Sequence, residues 1–425
     1  MAKTRSLQQH SDVQHNVPRV DVTIVGAGIV GVSLALALHK YTDLSVALIE
    51  PHAIKHDSHP AFDSRSLALG ATTFSYLLDL VSDIPHTLTR VNCCSIEHIQ
   101  VSDRGFAGKC FLSADDFATD HLGVVAPLQL LGRNLLQALE HNIDSNDGRV
   151  SLYCPSEISS IVSHEQGHSL SLNTGETLQT KLLVLADGGR SPFKSQLGFC
   201  DHHQDYGQDA IIANVVFNQP HEHWAYERFT AQGPVALLPL EFSETDDKSG
   251  GYYSLVWTVD RQNSDYNQRL MNDETFFRRE LEGMVGHHHG RCIRVGKRDS
   301  YPLSLRYSET VHQHRSVVIG NAAQTLHPIA GQGFNLGLRD VMDLVSILNE
   351  TPSEQLADWR CMSSYADKRD ADRKLIMNST DTLVRCFSNL YWPFVVGRNI
   401  GLTAMNMMSP MKQAFARRAM GYRFD

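Results

Sequence analysis

Apolar residues along this chain fall into short runs typical of buried strands and longer runs with the spacing of helices. The first short run, V-D-V-T-I-V from Val20, is rich in β-branched residues and predicts a strand of a parallel sheet. An alanine- and leucine-rich helical pattern follows it, and a second apolar run, L-S-V-A-L-I, ends at Glu50. This order of strand, helix and strand predicts a βαβ unit at the start of the chain.

The pattern of apolar positions also predicts the remaining helices and strands. A helix is expected over 128–140, where it covers the sheet, and strands over 150–185 form a meander with N-T-G-E at 173–176 as a hairpin turn. From Val341 onward the spacing is helical. Later strands follow one another without long helices between them, which predicts an antiparallel sheet in a second domain. These strands are expected over 211–216, 233–240 and 251–259.

Three glycines follow the first strand with the spacing G-x-G-x-x-G. Gly26 allows a tight turn, Gly28 lets the backbone approach a pyrophosphate, and Gly31 lets the helix pack closely on the strand. Glu50, 19 positions after Gly31 (50 − 31), stands where an acidic residue accepts hydrogen bonds from a ribose. We expect an adenine dinucleotide here rather than a plain turn. FAD and NAD both fit, whereas the glutamate disfavours NADP.

Two later stretches also run from an apolar strand into glycine. One ends at Asp187-Gly188, which is either a common turn or a second place where the chain approaches a ligand. The other ends at Gly320-Asn321, and a loop containing Pro328, Gly331 and Gly333 then leads into a helix starting near Phe334. Because glycines leave the first helical N–H groups open, the helix dipole would face whatever lies in front of it. We expect a cofactor contact at this third stretch.

Two arginines allow alternative interpretations. Arg65 forms either a surface pair with Asp63 or a contact with a cofactor phosphate. Arg133, with Gln129 on the first turns of the helix over 128–140, either faces a cofactor or belongs to a solvated helix face. The spacing in sequence does not distinguish a cofactor contact from a surface position for either arginine.

Composition narrows the class of protein. The 425 residues are enough for two joined domains, and 42% hydrophobic with 20% charged residues is typical of soluble globular proteins. A net charge of −9 gives no reason to expect nucleic acid as a partner. Eight cysteines without C-x-x-C spacing predict a reduced intracellular chain with no disulfide framework and no metal site. His287 to His289 are expected to be a solvated loop.

The two ends of the chain differ in character. Residues 1–18 are polar, lack a secretory signal and predict a disordered leader, and no apolar stretch is long enough to span a membrane. We therefore expect a cytoplasmic protein. The tail from Leu383 carries aromatic and methionine side chains, and Lys412, Arg417, Arg418 and Arg423 follow. This pattern suits either an amphipathic helix that touches a membrane or a helix packed on the core.

The three glycine stretches together resemble the flavin-dependent aromatic hydroxylases of the para-hydroxybenzoate hydroxylase type. The resemblance runs from about Val20 to Arg418 and points to the ubiquinone-biosynthesis branch. G-A-G-I-V-G matches the ADP-binding turn of that family, A-D-G-G-R-S its Asp-Gly motif, and G-N-A-A-Q-T-L-H-P-I-A-G-Q-G-F-N-L-G its late flavin motif. Most members begin the late motif with Gly-Asp. Asn321 stands here instead, which points to the branch acting on 6-methoxyphenols.

The resemblance implies an α/β fold: a Rossmann-like, glutathione-reductase-like FAD-binding domain, an inserted antiparallel substrate domain and a C-terminal helical region. The implied boundaries are 19–75, 105–200 and 300–350 for the FAD-binding domain, 76–104 and 201–299 for the substrate domain, and 351–425 for the helical region. FAD would be the cofactor and NAD(P)H the co-substrate. The implied reaction hydroxylates a polyprenylated phenol with O₂ through a flavin C4a-hydroperoxide.

The resemblance also implies roles for individual residues. Glu50 would hold the adenosine ribose, Asp187 would serve the pyrophosphate region, and Arg65 and Arg133 would contact the cofactor. Asn321 and the segment carrying Gly331, Gly333 and Asn335 would contact the ribityl chain and the isoalloxazine. His327 and Pro328 would line the ring as candidate catalytic residues. Peripheral membrane contact and association with other ubiquinone-biosynthesis proteins are further expectations. A flavin-dependent dehydrogenase or reductase acting on a prenyl lipid, and a non-catalytic flavoprotein scaffold, are the alternatives.

Overall fold

A computed structural model gives the fold. It describes residues 17–54, 65–82, 93–144, 147–241, 250–387, 392–407, 412–413, 416–417 and 420. Residues 1–16 of the expected leader, together with Asp63, Arg418 and Arg423, lie outside the described residues.

The strands are β1 (Arg19–Val25), β2 (Val46–Ile49), β3 (Ser66–Gly70), β4 (Cys94–Ile96), β5 (His98–Asp103), β6 (Lys109–Ser113), β7 (Gly123–Pro127), β8 (Val150–Tyr153), β9 (Ile158–His164), β10 (Gly167–Leu172), β11 (Thr177–Leu185), β12 (Asp201–Phe217), β13 (Trp224–Thr230), β14 (Gly233–Pro239), β15 (Gly251–Asp260), β16 (Cys292–Val295), β17 (Asp299–Ser308), β18 (His312–Gln313), β19 (Ser316–Val318) and β20 (Gln324–Thr325). The α-helices are α1 (Ile29–Tyr41), α2 (Ala71–Leu80), α3 (Leu128–Asp144), α4 (Phe193–Gln196), α5 (Ser264–Asn272), α6 (Glu274–Val285), α7 (Gln332–Glu350), α8 (Trp359–Phe387) and α9 (Trp392–Met407).

The first sheet has the order β18-β19-β11-β1-β2-β8. Strands β19, β11, β1, β2 and β8 are parallel, and the β9–β10 hairpin continues antiparallel from β11. The β-branched and leucine-rich strands are buried because α1 packs against both α3 and α7 over the sheet. The predicted βαβ unit, the helix over 128–140 and the hairpin turn at 173–176 are confirmed. The expected α/β fold is confirmed as well.

The second sheet has nine strands, mostly antiparallel, in the order β20-β17-β12-β15-β14-β13-β5-β6, with β16 beside β12. Its own core lies between the sheet and helices α5 and α6 and contains Trp257 and Phe277. The apolar pattern does not predict α5, because Leu270 is the only fully buried side chain that this polar helix presents. A bulge interrupts β12 between Asp205 and Gln208.

The expectation of a solvated loop at His287 to His289 is wrong for its last residue. His289 is only 5% exposed and lies among the rings of Phe217, Tyr226 and Tyr253. Burial lowers the pKa of His289 to about 4, so its imidazole is neutral near pH 7. Sequence adjacency to two other histidines carried no sign of this, because the aromatic partners come from three distant strands.

Sheet membership suggests how the domains divide. Strands β6 and β17 hydrogen bond within the nine-stranded sheet, although the predicted boundaries place residues 105–113 and 300–308 in the FAD-binding domain. We propose that these strands belong with the substrate domain. A small third sheet, β3-β7-β4, joins the two large sheets.

The C-terminal helices pack against both domains. Helix α9 lies along the free edge of β6, where Asn399 and Asn406 accept hydrogen bonds from the backbone N–H groups of Gly108 and Phe111 at 2.8 and 3.1 Å. The same helix buries Arg398 in a two-point ion pair with Asp103, at 2.7 and 3.2 Å. No described helix combines the length and the apolar character needed to cross a bilayer.

Candidate functional site

The candidate site lies where four neighbouring parallel strands end. Strands β19, β11, β1 and β2 are adjacent and run in the same direction, so their carboxyl ends meet at one edge of the sheet. Gly320, Asp187, Gly26 and Glu50 follow these four ends in that order. Ligands of open α/β sheets bind at this edge. The three glycine stretches, more than a hundred residues apart in sequence, therefore form one site.

The first turn requires its glycines for different reasons. Gly26 has a φ of 104°, and a Cβ there would lie 2.9 Å from the carbonyl oxygen of Ala186. A Cβ at Gly31 would lie 2.0 Å from the carbonyl oxygen of Gly26, so the helix could not approach the strand. A Cβ at Gly28 would meet no protein atom within 4 Å. The space in front of Gly28 is thus open to a ligand.

Two helices present unblocked N-termini at this edge. Gly28 and Gly331 are the N-cap residues of α1 and α7, and neither helix has a side-chain cap. By contrast, Asp273 caps α6 by accepting the N–H of Phe276 at 2.9 Å. Gly333 in the first turn of α7 also faces open space. Uncapped N–H groups and the positive end of the helix dipole suit phosphate and other negative groups.

Glu50 is buried beside the first turn. Its Oε2 accepts the backbone N–H of Ala27 at 2.8 Å, and its Oε1 accepts the backbone N–H of His52 at 3.0 Å. These bonds hold the carboxylate at the end of β2. The ring Nδ1 of His52 also lies 3.0 Å from Oε1 of Glu50.

Asp187 organises its own turn. Its two carboxylate oxygens accept the N–H groups of Gly189 and Ser191 at 2.8 and 2.9 Å. Gly188 and Gly189 have φ values of 72° and 68°, which other residues rarely adopt. Arg306, in β17 of the nine-stranded sheet, donates to the carbonyl of Gly189 at 2.7 Å and fixes the turn. The carboxylate therefore shapes the backbone that faces the site.

Asn335 is placed differently from the expected ring contact. Its Oδ1 accepts the N–H of Gly70 at 2.8 Å, and its Nδ2 donates to the carbonyls of Ala68 and Gly331 at 3.0 and 2.9 Å. The buried amide thus joins β3 to the start of α7 and has little capacity left for a ligand. Asn321, on the loop after β19, is exposed at the same sheet edge.

His327, in the loop between β20 and α7, is almost fully enclosed. It is 1% exposed, and burial lowers its pKa to about 4. Its Nδ1 accepts the N–H of Ile329 at 3.4 Å, which leaves the proton on Nε2, and within the described residues Nε2 has no hydrogen-bond partner. The ring of Tyr206, from the bulge of β12, meets the imidazole edge-on at 5.4 Å. Pro328 precedes the single turn Ile329–Gly331 that leads into α7.

The two arginines lie on adjoining elements. The guanidinium of Arg65 lies 5.3 Å from the ring of Tyr301, and the carbonyl of Arg65 accepts the N–H of Leu128 at 2.8 Å. That bond brings Arg65 to the start of α3, the helix that carries Arg133. The alternative partner Asp63 lies outside the described residues.

Two residues that support the late loop were not predicted. Asp340 accepts the N–H of Gly320 at 2.9 Å and the amide of Gln324 at 2.8 Å. Lys194 is buried, donates to the carbonyl of Ala322 and pairs with Asp201. The sequence does contain a sign of Asp340's role, because this acidic residue lies between Leu338 and Val341 on the apolar face of a helix. A charge buried there requires a partner.

A separate Cys–His cluster lies on the substrate side. Cys94, His221 and His223 bring possible ligand atoms within 4.8 Å of one another. However, Nδ1 of His221 accepts the N–H of His223 at 3.0 Å, and its Nε2 lies 3.2 Å from the carbonyl of Leu240. This pairing puts a proton on Nε2, where a metal would need a lone pair. We interpret the cluster as a structural hydrogen-bond network.

Comparison with protein families agrees with this geometry. Residues 121–380 match a family described as FAD binding domain. A ubiquinone hydroxylase, UbiL, of Rhodospirillum rubrum is 33% identical, over 94% of this chain and 89% of that protein. The 3-demethoxyubiquinol 3-hydroxylase of Escherichia coli is 28% identical, over 94% of this chain and 98% of that protein.

Solved structures share the fold. The p-nitrophenol 4-monooxygenase PnpA of Pseudomonas putida superposes with a TM-score of 0.74 at 16% identity, covering 96% of this chain and 100% of that one. PqsL of Pseudomonas aeruginosa, described as a probable FAD-dependent monooxygenase, gives 0.72 at 19% identity, covering 91% and 100%. At these identities the likeness concerns the fold alone.

Proposed function

The chain belongs to the FAD-binding-domain family of monooxygenases, together with the ubiquinone hydroxylases, and from this we propose that it hydroxylates a polyprenylated phenol. The substrate is of the 2-polyprenyl-6-methoxyphenol type, and the co-substrates are NAD(P)H and O₂. The observation that carries the proposal is the meeting of Gly26, Glu50, Asp187 and Gly320 at four adjacent strand ends.

The residues at this edge fit FAD. Open space in front of Gly28 at the uncapped start of α1 suits a pyrophosphate, and Glu50 can accept the hydroxyls of the adenosine ribose. Asn321 at the end of β19 suits the hydroxyls of the ribityl chain. When bound, FAD supplies the passage of electrons from NAD(P)H to O₂ and the delivery of one oxygen atom to the ring.

Helix α7 contributes electrostatic stabilisation. Its first N–H groups lie at the positive end of a 19-residue helix that has no side-chain cap. Negative charge on a ring system placed before them is stabilised by these donors, which are already oriented in the folded protein. Asn335 keeps this helix start against β3 through two bonds to the backbone of Ala68 and Gly70. The protein thereby provides a fixed, positive surface for the cofactor ring.

His327 orients the phenol. Because its pKa is about 4, the imidazole is neutral near pH 7 and holds its proton on Nε2. A buried N–H without a protein partner is costly unless a ligand accepts it. We assign this donor to the phenolic oxygen of the substrate, and assign Pro328 to the rigid turn that aims it. The role is positional. With this pKa, His327 is not an imidazolium at neutral pH and therefore does not act as a general acid.

Helix α9 provides contact with a membrane. Its outer side exposes Trp392, Ile400 and Met407, at 73%, 63% and 78%, while its inner side buries Val395 and Leu402. The outer side carries no charge, which is typical of a helix lying in a bilayer interface. A substrate with a prenyl tail resides in such a bilayer. Contact with other ubiquinone-biosynthesis proteins would use the same surface.

Sedimentation with phosphatidylcholine vesicles tests the membrane contact. Replacing Trp392, Ile400 and Met407 together by serine should leave the protein in the supernatant. Trp359→Ser, which changes an equally exposed tryptophan at the start of α8, should sediment like the unchanged protein. Equal sedimentation of both variants would contradict the assignment to α9.

Cofactor loading tests the proposed reaction. The purified protein should be yellow, should contain FAD, and should oxidise NADPH faster when a prenylated 6-methoxyphenol is added. A colourless protein that takes up no FAD on reconstitution would refute the proposal. A Gly28→Trp variant that folds but supports quinone production in a deletion strain would instead indicate a scaffold.

A further inference from the structure

A groove on the substrate sheet lies away from the cofactor edge. It has a volume of about 500 Å³ and is bordered by the end of β5, the start of β6, β13 and the residues after α6. Ser102 pairs with Lys109 across β5 and β6, and with Arg228 across β5 and β13. Residues paired in register point to the same face of a sheet, so Lys109, Ser102 and Arg228 form a row across three strands. Gly286 and His288 close the groove on one side.

Among the described residues, no ion pair is observed for Arg228 or Lys109, the two cations that line this groove. Arg228 is half-buried, and both burial and the nearby Arg104 lower its pKa. It donates through Nη1 to the carbonyl of Val285 at 3.0 Å, while its Nε has no partner among the described residues. Asp103 also borders the groove, but Arg398 already binds its carboxylate at two points. A partly buried cation without a carboxylate suits an anionic ligand.

The donors of the groove match a phosphate group. Arg228 offers planar N–H donors, Lys109 a mobile ammonium group, and Ser102 and Gln100 neutral polar groups. The volume lies within the range of small-ligand sites and exceeds what a lone inorganic ion fills. A phosphate carrying a small polar substituent, such as a glycerophosphate, fits both the charge and the size.

The position of the groove favours a lipid as the source of the phosphate. The turn between β5 and β6 borders the groove through Gly105 and Phe106. The same turn contacts α9, because Gly108 donates to Asn399 and the Phe106 ring lies 5.9 Å from the Arg398 guanidinium. Phe106 is 47% exposed, as are aromatic residues that enter a bilayer interface.

We propose that this groove binds the headgroup phosphate of an anionic phospholipid when α9 lies on a membrane. The inference rests on the membrane contact proposed above. The whole chain carries a net charge of −9, so attraction to an anionic surface must come from a local site. The groove would orient the protein on the bilayer from which its substrate enters.

Sedimentation of the FAD-loaded full-length protein with two kinds of vesicle tests the proposal. One kind contains phosphatidylcholine alone, and the other also contains phosphatidylglycerol. The unchanged protein should bind the anionic vesicles more tightly, and Lys109→Gln should weaken that preference by about fivefold. Arg228→Gln should act in the same direction. Lys297→Gln, at an exposed lysine paired with Asp299, is the matched control and should keep the preference.

The outcomes separate the sources of failure. Lys109 is exposed, so Lys109→Gln decides the matter even if Arg228→Gln does not fold. Equal preference in Lys109→Gln and the control overturns the proposal. Full suppression of the preference by millimolar glycerol 3-phosphate or inorganic phosphate would overturn the lipid assignment in favour of a soluble phosphate. Failure of the unchanged protein to bind phosphatidylcholine vesicles refutes the contact through α9, and loss of substrate-stimulated NADPH oxidation refutes the reaction.

Discussion

Arg369 on α8 and Asp340 on α7 form a fully buried ion pair, with Nε of the arginine 2.7 Å from Oδ1 of the aspartate. The other oxygen of Asp340 accepts the N–H of Gly320, which lies two residues after the end of β19. Arg369 also binds Asp343 and Asp372. The C-terminal helices are thus connected to the cofactor edge by a chain of charged hydrogen bonds, and they form part of its support.

Replacement of Arg369 should weaken both the fold and the cofactor site. Arg369→Met leaves buried carboxylates without their cation, which should lower the free energy of unfolding by about 3–5 kcal/mol. Because Asp340 then no longer holds Gly320 firmly, the FAD dissociation constant should rise more than tenfold. Equilibrium dialysis at a temperature where the variant is folded measures this. An unchanged FAD affinity in a destabilised variant would show that the pair supports only the fold.

Gly28 and Gly31 should respond differently to a side chain. Gly28→Val places its side chain in open space, so the apoprotein should keep its melting temperature while losing most of its FAD affinity. Gly31→Val would clash with the carbonyl of Gly26 and should fail to fold or melt far lower. Thermal unfolding of the two apoproteins, followed by FAD titration, distinguishes them. Normal FAD binding by Gly28→Val would be incompatible with a pyrophosphate at this turn.

His327 should affect turnover without affecting cofactor content. His327→Leu removes the buried Nε2 donor, and kcat/KM should fall about 10-fold or more, as expected for one hydrogen bond to a reacting oxygen. His327→Gln keeps an N–H donor and should recover part of the loss. Flavin absorbance per protein should stay the same in all three forms. A loss of flavin in both variants would assign His327 to cofactor binding instead.

His289 should make stability sensitive to acid. Its pKa is about 4 in the folded protein and about 6.5 when unfolded, so the unfolded state binds the proton first as the pH falls. The stability due to the neutral form is complete above pH 6.5 and is lost toward pH 4, a loss on the order of 3 kcal/mol. Denaturant titrations should show a smaller acid loss for His289→Leu. His288→Leu, at an exposed position, should match the unchanged protein, and identical pH profiles for both would contradict this account.

Local rules predicted the glycine turn between β1 and α1. Gly26 and Gly31 must be glycine because a Cβ would clash with backbone atoms of the same βαβ unit or of the adjacent strand. The spacing of the glycines is therefore enough to predict this turn. The parallel order of β19, β11, β1 and β2 then brings the remaining motif residues together. Motif spacing could not predict the hydrogen bonds between Asn335 and β3. Gly70, which donates one of them, is 265 residues from Asn335 along the chain.

Long-range pairing explains what the sequence did not predict. Arg369 and Asp340 meet because α7 and α8 pack together. The sequence marks Asp340 as a charge on an apolar helix face, but it does not identify Arg369 as the partner. His289 is buried by aromatic rings from strands far from it in sequence. The polar helix α5 gains its stability from packing on the sheet rather than from a clear apolar period. Such features depend on the assembled fold.

Incorporation of labelled oxygen tests the central claim most directly. The FAD-loaded protein would turn over a prenylated 6-methoxyphenol with NADPH under ¹⁸O₂ in ordinary water, and mass spectrometry would measure the product. A monooxygenase places one labelled atom in each new hydroxyl group, and the account predicts this result. Turnover that yields an unlabelled product, or that proceeds equally well without O₂, would contradict it and indicate a dehydrogenase or reductase on the same fold.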